Sequence, residues 1–205
     1  MKKSRLGIFG GAFNPVHFGH LFIAKEAVRT FSLEKVIFVP TGNPVFKKED
    51  LIDKTARAHL VELSLSEENN FELSLYEVEK DTPSFFIETL FYFKTVFPNK
   101  EFFSIIGEDA FLKFHLWKEP ELILKNTNLI VAKRFYGNFE TSKEYMFKYF
   151  RTFQDKIFFM DNLLFPISST VIRRRIAEKK PISYLLPKSV EREIIKNGYY
   201  RKDKI

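Results

Sequence analysis

Residues 6–20 read LGIFGGAFNPVHFGH, and the rest of the chain is organised around this stretch. Its first four residues are apolar and suit a buried parallel strand. Gly10 and Gly11 follow directly, and paired glycines let the backbone come within contact distance of a ligand such as a phosphate. His17 and His20 lie three residues apart, so in a helix that begins nearby their rings share one face beside its N-terminus. Because backbone N–H groups and the helix dipole favour an anion there, the stretch predicts a phosphate site.

The stretch differs from the two commonest nucleotide-binding loops. It is not Gly-x-Gly-x-x-Gly and it lacks Gly-Lys-Ser/Thr, so neither the dinucleotide fingerprint nor the P-loop is present. A pair of histidines three residues apart also arises by chance or as satisfied core residues. Here, however, half of the chain's 4 histidines follow a strand, two glycines and an Asn-Pro step, and we interpret the pair as functional.

Apolar runs alternate with helix-forming segments along the whole chain. The predicted strands cover residues 6–9, 36–39, 71–78, 102–106, 129–132 and 157–160. The predicted helices cover residues 21–31, a segment from Asp53 or Thr55 to 65, 85–97 capped by Ser84, 110–117, 141–153 and a segment that begins after residues 168–170. This alternation predicts an α/β protein with a parallel, doubly wound sheet, whose ligand sites lie at the carboxyl ends of the strands.

Composition limits the class of protein. A chain of 205 residues fits one domain, and the absence of cysteine suits a reducing compartment, so we expect a cytoplasmic protein. No apolar run is long enough to span a bilayer. The net charge of +7 suits nucleic acid, an acidic membrane surface or a polyphosphate substrate, and composition does not choose among them. The 25 phenylalanines scatter through predicted core positions such as Phe91, Phe93, Phe102 and Phe103, so we interpret them as core residues.

A second signal lies near residue 170. Ser168, Ser169 and Thr170 are good capping residues, so the arginine run at 173–175 is predicted to fall near the first turn of a helix. Cations there oppose the helix dipole at about 0.3–1 kcal/mol each unless an anion binds. The pattern therefore predicts a polyphosphate cradle, and it predicts that Arg173→Ala leaves the stability of the free protein unchanged or slightly higher.

Two further groups of residues follow predicted strands. The residue types alone leave two interpretations of each group. Gly107 and Asp109 stand at the carboxyl end of the strand at 102–106, where an acidic side chain can accept hydrogen bonds from ribose hydroxyls. Asp109 can equally be the cap of a helix that begins at Ala110. Lys47 and Lys48 follow the second strand and are either solvated charges or ligand-binding residues.

Residues 10–20 and 167–173 each resemble a signature of one enzyme family. GGAFNPVHFGH is similar to Gly-Gly-x-Phe-x-Pro-x-His-x-Gly-His, and ISSTVIR is similar to Ile-Ser-Ser-Thr-x-Ile-Arg, of the nucleotidyltransferases that share the His-x-Gly-His motif. The resemblance extends to the nicotinate-nucleotide adenylyltransferase family through residues 107–109, Trp117 and the segment SFFIETL at 84–90. Departures are Ala12, where a hydroxyl residue is common, Asn14, where aspartate is common, and a loose match around Lys47.

The resemblance implies a Rossmann-like nucleotidyltransferase fold in one domain, with residues 166–205 forming a C-terminal helical segment that completes the ATP site. It implies transfer of AMP from ATP to nicotinate mononucleotide, giving deamido-NAD and pyrophosphate, with Mg²⁺ delivered with ATP and no metal held by the protein alone. The implied partners are these two nucleotides, without nucleic acid or membrane, and the formation of a homo-oligomer stays open.

The resemblance also assigns roles to individual residues. The catalytic residues would be His17, His20, Lys47 and Arg173. The ATP-binding residues would be Gly10, Gly11, Phe13, His17, His20, Gly107, Asp109, Arg134, Ser168, Ser169 and Arg173. The pyridine ring would lie among Ser84, Phe85, Phe86 and Trp117.

Three alternatives remain. Phe86 replaces a threonine beside the expected pyridine pocket, which leaves nicotinamide mononucleotide as an alternative acceptor. Pantetheine-phosphate adenylyltransferases share both signatures, but that family is shorter and lacks the segment at 84–90 and the position of Trp117. A non-catalytic nucleotide- or RNA-binding module would explain the charge, but not paired histidines together with an arginine-rich helix start.

Overall fold

The computed structural model describes residues 3–45, 51–133, 139–161 and 167–201. The strands are β1 (Arg5–Gly11), β2 (Lys35–Pro40), β3 (Phe71–Leu73), β4 (Glu101–Gly107), β5 (Asn128–Ala132) and β6 (Ile157–Met160). The helices are α1 (Phe18–Phe31), α2 (Lys54–Leu65), α3 (Phe86–Val96), α4 (Glu108–Phe111), α5 (Pro120–Asn126), α6 (Glu140–Phe150), α7 (Ser169–Ala177) and α8 (Lys188–Asn197). Short 3₁₀ segments cover Phe114–Leu116 and Arg151–Lys156.

The strands form one parallel sheet in the order β3-β2-β1-β4-β5-β6. In the register of β1 and β4, Leu6 lies beside Phe102 and Ile8 beside Ser104. This is the strand order of dinucleotide-binding sheets, and the direction of strand addition reverses between β1 and β4, where such sheets bind ligands beyond the carboxyl ends. The predicted doubly wound α/β class is confirmed.

The chain forms two compact units, each discontinuous in sequence. The first unit comprises the described residues of Met1–Gly10, Ile23–Ile37 and Phe85–Pro166. The second comprises those of Gly11–Phe22, Phe38–Ser84 and Ile167–Ile205. Strands β1 and β2 therefore contribute residues to both units.

The core of the first unit lies around β4 and β5. Every residue of β5 is buried, as expected for a parallel strand covered on both faces. Two hydroxyls are buried with these strands, and the Oγ of Ser104 lies 3.1 Å from the Oγ1 of Thr127, which also donates to the carbonyl oxygen of Phe102. These bonds satisfy polar groups that would otherwise weaken the core.

The core of the second unit is built on aromatic and aliphatic side chains from β2, α2 and α8. The ring of Phe38 lies 5.6 Å from that of Phe13 and 5.3 Å from that of Phe71, measured between centroids. Helices α2 and α8 pack together, and the Ser189 hydroxyl at the start of α8 donates to the carbonyl oxygen of Leu63 on α2.

Several sequence-based boundaries are corrected. The strand predicted over 71–78 ends at Leu73, because the chain then turns and the Glu79 N–H donates to the carbonyl oxygen of Leu75. The helix predicted over 110–117 begins at Glu108 and breaks after Phe111 into a 3₁₀ turn. The helix predicted over 141–153 ends at Phe150, and residues 151–156 continue as a 3₁₀ segment with a kink at Phe153.

Two expectations about single residues are also corrected, and four are confirmed. Ser84 does not cap α3, because the cap position is Phe85. Phe91 is 42% exposed, since it lies on the outer face of α3, whereas Phe93, Phe102 and Phe103 are buried as predicted. Asp53 caps α2 by accepting a hydrogen bond from the Thr55 N–H.

Helix α5 was not predicted from the sequence. Helix α8 lies in the segment 166–205, which the resemblance predicted to be helical without giving the bounds of this helix. Among the described residues, no helix combines the length and the apolar character that are needed to cross a membrane.

The loop after β2 gives a test of close packing. A Cβ atom added at Gly42 would lie 1.9 Å from the carbonyl oxygen of Glu77, whereas one added at Gly10 would meet only the Phe86 ring at 3.7 Å. We expect Gly42→Ala to lower the free energy of unfolding by about 1–3 kcal/mol, because the backbone must shift to relieve the clash. Gly10→Ala is the matched control, and denaturant unfolding should leave it near the wild-type value. Equal stability of Gly42→Ala and the wild type would contradict this packing.

Candidate active site

The two histidines of the opening stretch lie against each other at the start of α1. Their ring centroids are 3.7 Å apart and the ring planes differ by 25°. The backbone N–H of His17 donates to the Nδ1 atom of His20 over 3.3 Å. The Nδ1 atom of His20 must therefore carry a lone pair, so the ring proton lies on Nε2, which makes Nε2 a hydrogen-bond donor.

Gly19 allows the stacking of the two rings. A Cβ atom at this position would lie 3.0 Å from both the Cε1 and the Nδ1 atoms of the His17 ring. Such a contact is tighter than ordinary packing, so a side chain at 19 would displace the ring. The glycine between the histidines is therefore part of the geometry of the pair.

The loop between β1 and α1 has an unusual backbone. Phe13 adopts a φ of 45°, a left-handed conformation that is rare for a residue with a large side chain, and it is 2% exposed. Its ring contacts His20 edge to face, with centroids 5.0 Å apart. Backbone strain of this kind concentrates at ligand-binding sites and persists where surrounding contacts hold it.

Helix α7 presents its N-terminus and one arginine in the same unit. The Ser168 hydroxyl accepts from the Val171 N–H over 3.2 Å, which confirms the predicted cap. The Ser169 hydroxyl donates to the carbonyl oxygen of Pro15, and the Arg173 guanidinium donates to that of Asn14 over 2.9 Å. Residues from both signature stretches are thus hydrogen-bonded to one another.

The dipole argument for the arginine run is corrected by the length of α7. The helix has nine residues, so Arg174 and Arg175 fall in its last turn, where cations are stabilising. Arg173 lies one turn in from the start and is bonded to Asn14. Its removal therefore breaks a hydrogen bond, and the expectation that Arg173→Ala would leave the free protein equally or more stable no longer holds.

Asn14 connects three parts of the second unit, a role that the sequence analysis did not identify. Its side-chain oxygen accepts from the hydroxyl of Tyr200 over 2.9 Å and from the N–H of Ile52 over 3.4 Å. Tyr200 is 3% exposed, and this burial raises the pKa of its phenol above the ordinary value. The hydroxyl therefore stays protonated and donates.

Arg57 is the second residue that the sequence analysis missed. It is 1% exposed, and its guanidinium donates to main-chain carbonyl oxygens of Ile52, Ala12, Thr41 and Gly42. Burial lowers the pKa of this group from its ordinary value, but an arginine remains protonated at neutral pH. A helical period could have revealed it, because residue 57 shares a face with the buried Leu60, Val61 and Ser64.

In the first unit, the predicted ribose-binding residues end β4. Gly107 is the last residue of that strand and the cap position of α4, so Asp109 lies inside the first turn and is exposed. The alternative in which Asp109 caps a helix from Ala110 is therefore wrong. The neighbouring Glu108 accepts a hydrogen bond of 2.6 Å from the buried Ser142 hydroxyl.

Three of the residues predicted to bind the pyridine ring, Phe85, Phe86 and Trp117, are aromatic and lie in the first unit. The rings of Phe86 and Trp117 are half-buried, with centroids 5.7 Å apart, and a Cβ atom added at Gly10 would lie 3.7 Å from the Phe86 ring. The Lys118 ammonium lies 4.3 Å from the centroid of the Phe85 ring.

Ser84 belongs to the second unit, where it is bonded to the loop after β2. Its hydroxyl accepts from the Asn43 N–H over 3.2 Å, and its N–H donates to the Asn43 carbonyl oxygen over 2.9 Å. Gly11, also in this unit, accepts at its carbonyl oxygen from the Thr41 N–H. Lys47 and Arg134, two predicted site residues, lie outside the described residues.

The electrostatics of the second unit suit an anion. Neither α1 nor α7 has an acidic residue in its first turn, so no carboxylate within that turn neutralises the positive end of either helix. The described residues contain no group of three or more His, Cys, Asp or Glu side chains placed to hold a metal ion.

The parallel sheet, the two helix starts, the stacked histidines and Arg173 together define a nucleotide-binding protein of the α/β class. The comparisons with known proteins support this class. The model of the cytidylyltransferase-like family matches residues 8–175. A relative from Thermoanaerobacter sp., called a probable nicotinate-nucleotide adenylyltransferase, is 40% identical, over 98% of this chain and 97% of its own. One from Dictyoglomus thermophilum with the same name is 35% identical, over 96% of this chain and 99% of its own.

A solved structure is similar in fold. The Plasmodium falciparum nicotinic acid mononucleotide adenylyltransferase complexed with NaAD gives a TM-score of 0.76 at 18% identity, over 96% of this chain and 97% of that one. At this identity the match supports the fold alone. From the family model and the curated relatives, the chain belongs to the cytidylyltransferase-like family and, within it, to the nicotinate-nucleotide adenylyltransferases. The resemblance predicted from the two signatures is confirmed.

Arg173 gives a test of the site. We expect Arg173→Ala to lower the free energy of unfolding of the free protein by about 1.5 kcal/mol, because it removes a hydrogen bond from a charged donor to Asn14. It should also reduce the rise in melting temperature that MgATP gives, since ligand stabilisation follows the ratio of ligand concentration to Kd. The measurement is a pair of melting curves with and without MgATP. Arg174→Ala, at an exposed position, is the control, and a full MgATP shift in Arg173→Ala would exclude Arg173 from triphosphate binding.

Proposed function

We propose that the protein transfers AMP from ATP to nicotinate mononucleotide, giving nicotinate adenine dinucleotide and pyrophosphate. The observation that carries this proposal is the similarity of nearly the whole chain to relatives with this activity in their names, at 35–40% identity. The stacked histidines and the capped start of α7 support it, because they concentrate hydrogen-bond donors and positive charge where a triphosphate is to be bound.

The proposed nucleophile is the phosphate of nicotinate mononucleotide. It is already anionic at neutral pH, so no side chain of the protein has to act as a nucleophile or a general base. It attacks the α-phosphorus of ATP and pyrophosphate leaves. What the protein supplies is positioning of the two phosphates and stabilisation of the charge that develops on the leaving group.

His20 is suited to that stabilisation by its tautomer. Because its Nδ1 atom accepts from the His17 N–H, its Nε2–H group donates, and we assign that donor to an oxygen of the triphosphate. The stacked His17 ring and the edge of Phe13 hold the imidazole in place. A donor held in this way needs no reorganisation as charge moves to the pyrophosphate.

The proposed cradle for the triphosphate also includes Arg173, the hydroxyl of Ser168 and the N–H groups at the start of α7. Arg173 is aligned by its bond to Asn14. The Ser169 hydroxyl already donates to Pro15, so Ser169 is assigned to the site through its backbone. We propose that Mg²⁺ enters as MgATP, bound to the phosphate oxygens of the substrate, and that it neutralises part of their charge.

The other nucleotide-binding roles that the resemblance implies are kept as proposals for residues of the first unit. The exposed carboxylate of Asp109 is assigned to the ribose of ATP, with Gly107 leaving room beside it. Phe86 and Trp117 are assigned to the pyridine ring, which stacks on aromatic faces. We retain Lys47 and Arg134 as proposed ligand-binding residues. We also propose a cytoplasmic location, since a cysteine-free chain suits a reducing compartment.

The activity itself is tested with a panel of acceptors. Purified protein with MgATP should release pyrophosphate in the presence of nicotinate mononucleotide. Nicotinamide mononucleotide and 4'-phosphopantetheine, at equal concentration, test the alternative acceptors, and an RNA end tests the nucleic-acid alternative. The proposal is wrong if 4'-phosphopantetheine or the RNA end supports turnover while neither pyridine nucleotide does.

His20 is tested by substitution. We expect His20→Ala to lower kcat by about 10² to 10³, the usual effect of losing one donor to a developing charge, while ATP binding changes much less. His20→Gln keeps an N–H donor and should recover part of the rate. His59→Ala, which removes a half-exposed histidine of α2, is the control and should retain the wild-type kcat. Wild-type turnover by His20→Ala would remove His20 from the mechanism.

A further inference from the structure

Arg57 is a buried cation whose hydrogen bonds end on the main chain. In the described part of the protein, its Nε–H donates to the carbonyl oxygen of Ile52 over 3.2 Å and one terminal nitrogen donates to that of Ala12 over 2.8 Å. The other terminal nitrogen donates to the carbonyl oxygens of Thr41 and Gly42 over 2.6 and 3.1 Å. One side chain of α2 thus holds the loop after β1 and the loop after β2.

The bond to Ala12 fixes the orientation of a peptide plane. A trans peptide is planar, and its C=O and N–H groups point in opposite directions. Because the Ala12 carbonyl points at Arg57, the N–H of Phe13 faces away from α2. The same argument applies to the Thr41–Gly42 peptide in the second loop. Arg57 therefore sets the direction of main-chain donors in two loops that follow parallel strands, where such sheets bind ligands.

The charge of Arg57 is not cancelled by a bonded carboxylate in the described residues. The acidic groups that act on it electrostatically are Asp53 and Glu77, together with the Tyr200 phenol. The Asp53 carboxylate is itself occupied in capping α2. Burying this cation carries a desolvation penalty, which the two carboxylates offset only in part and which an apolar side chain of similar volume would avoid. The arrangement thus places a positive charge behind the loop that carries the predicted phosphate-binding residues.

We propose that Arg57 is a positioning residue for adenylyl transfer, which holds the Ala12–Phe13 peptide so that its N–H faces the triphosphate of ATP. Arg57 acts through the main chain and does not touch the substrate. The proposal rests on the proposed function, because it names the reaction whose geometry Arg57 controls. It assigns to α2 a function in catalysis beyond its packing against α8.

The test uses Arg57→Lys, which keeps the charge but replaces a planar fork by a single ammonium that cannot reach the same acceptors. We expect kcat/KM for ATP to fall by about 10², the usual effect of misplacing reacting groups by an ångström. The assay is run where circular dichroism shows Arg57→Lys to be folded. Guanidinium ion at a non-denaturing concentration should restore part of the activity of Arg57→Ala in a saturable manner, whereas sodium chloride and urea should not.

Ser189→Ala is the matched control, because it removes another side-chain bond to a carbonyl oxygen of α2, that of Leu63. It should lower the melting temperature and leave kcat unchanged. If Ser189→Ala and Arg57→Lys lose activity in proportion to their loss of stability, Arg57 is merely structural and the proposal is overturned. Wild-type kinetics of Arg57→Lys, or the absence of rescue by guanidinium, would also overturn it.

A second measurement needs no variant. The backbone amide resonance of Phe13 in the wild-type protein should shift when a non-hydrolysable MgATP analogue is added, and an unshifted resonance would contradict the proposed orientation. Failure of the proposed function is separable from failure of this inference. In the first case the wild type does not turn over nicotinate mononucleotide, and in the second the wild type is active and Arg57→Lys is equally active.

Discussion

Two arginine side chains hold the carbonyl groups of the loop that follows β1, and the geometry of the second unit depends on this. Arg57 from α2 binds the Ala12 carbonyl and Arg173 from α7 binds that of Asn14. Between these two bonds, Phe13 adopts a positive φ that its own side chain disfavours. Local interactions do not stabilise such a conformation, so bonds from distant helices must hold it. The start of α1, and with it the stacked histidine pair, follows from the path of this loop.

Most strands could be predicted from the sequence because their residues are apolar without interruption. The segments at 6–9 and 36–39 are buried and need only local pattern to be recognised. The alternation over 71–78 predicted a strand that is too long, because the pattern continues after Leu73 whereas the strand ends there. The chain then turns toward the loop after β2, where the carbonyl oxygen of Glu77 approaches Gly42. That close approach depends on a contact between distant residues, and period alone does not reveal it. The helix also breaks after Phe111, although Phe111 and Phe114 are both fully buried, so the apolar pattern alone does not reveal the break.

Some residues of the candidate site could likewise be predicted from the sequence, and others could not. His17, His20 and Ser168 belong to short motifs whose spacing carries the chemistry, so the sequence indicates them directly. Arg57, Asn14 and Tyr200 act through bonds to distant groups, several of them main-chain atoms that every residue has. A side chain that recognises a carbonyl oxygen leaves no complementary residue to find in the sequence. The helical period around Arg57 indicates burial, but it does not indicate which loops the guanidinium holds.

The structure shows where part of the positive charge of the chain lies. A net charge of +7 is compatible with nucleic acid or a membrane surface when all the cations are taken to be exposed. Arg57 is fully buried, Lys133 is 8% exposed and Arg173 is bonded to the main chain, so part of that charge lies inside the protein or at its site. Charge in such places acts over a few ångströms and is screened less by salt than charge on a surface. Positive charge placed in this way suits a small, highly charged anion such as a triphosphate.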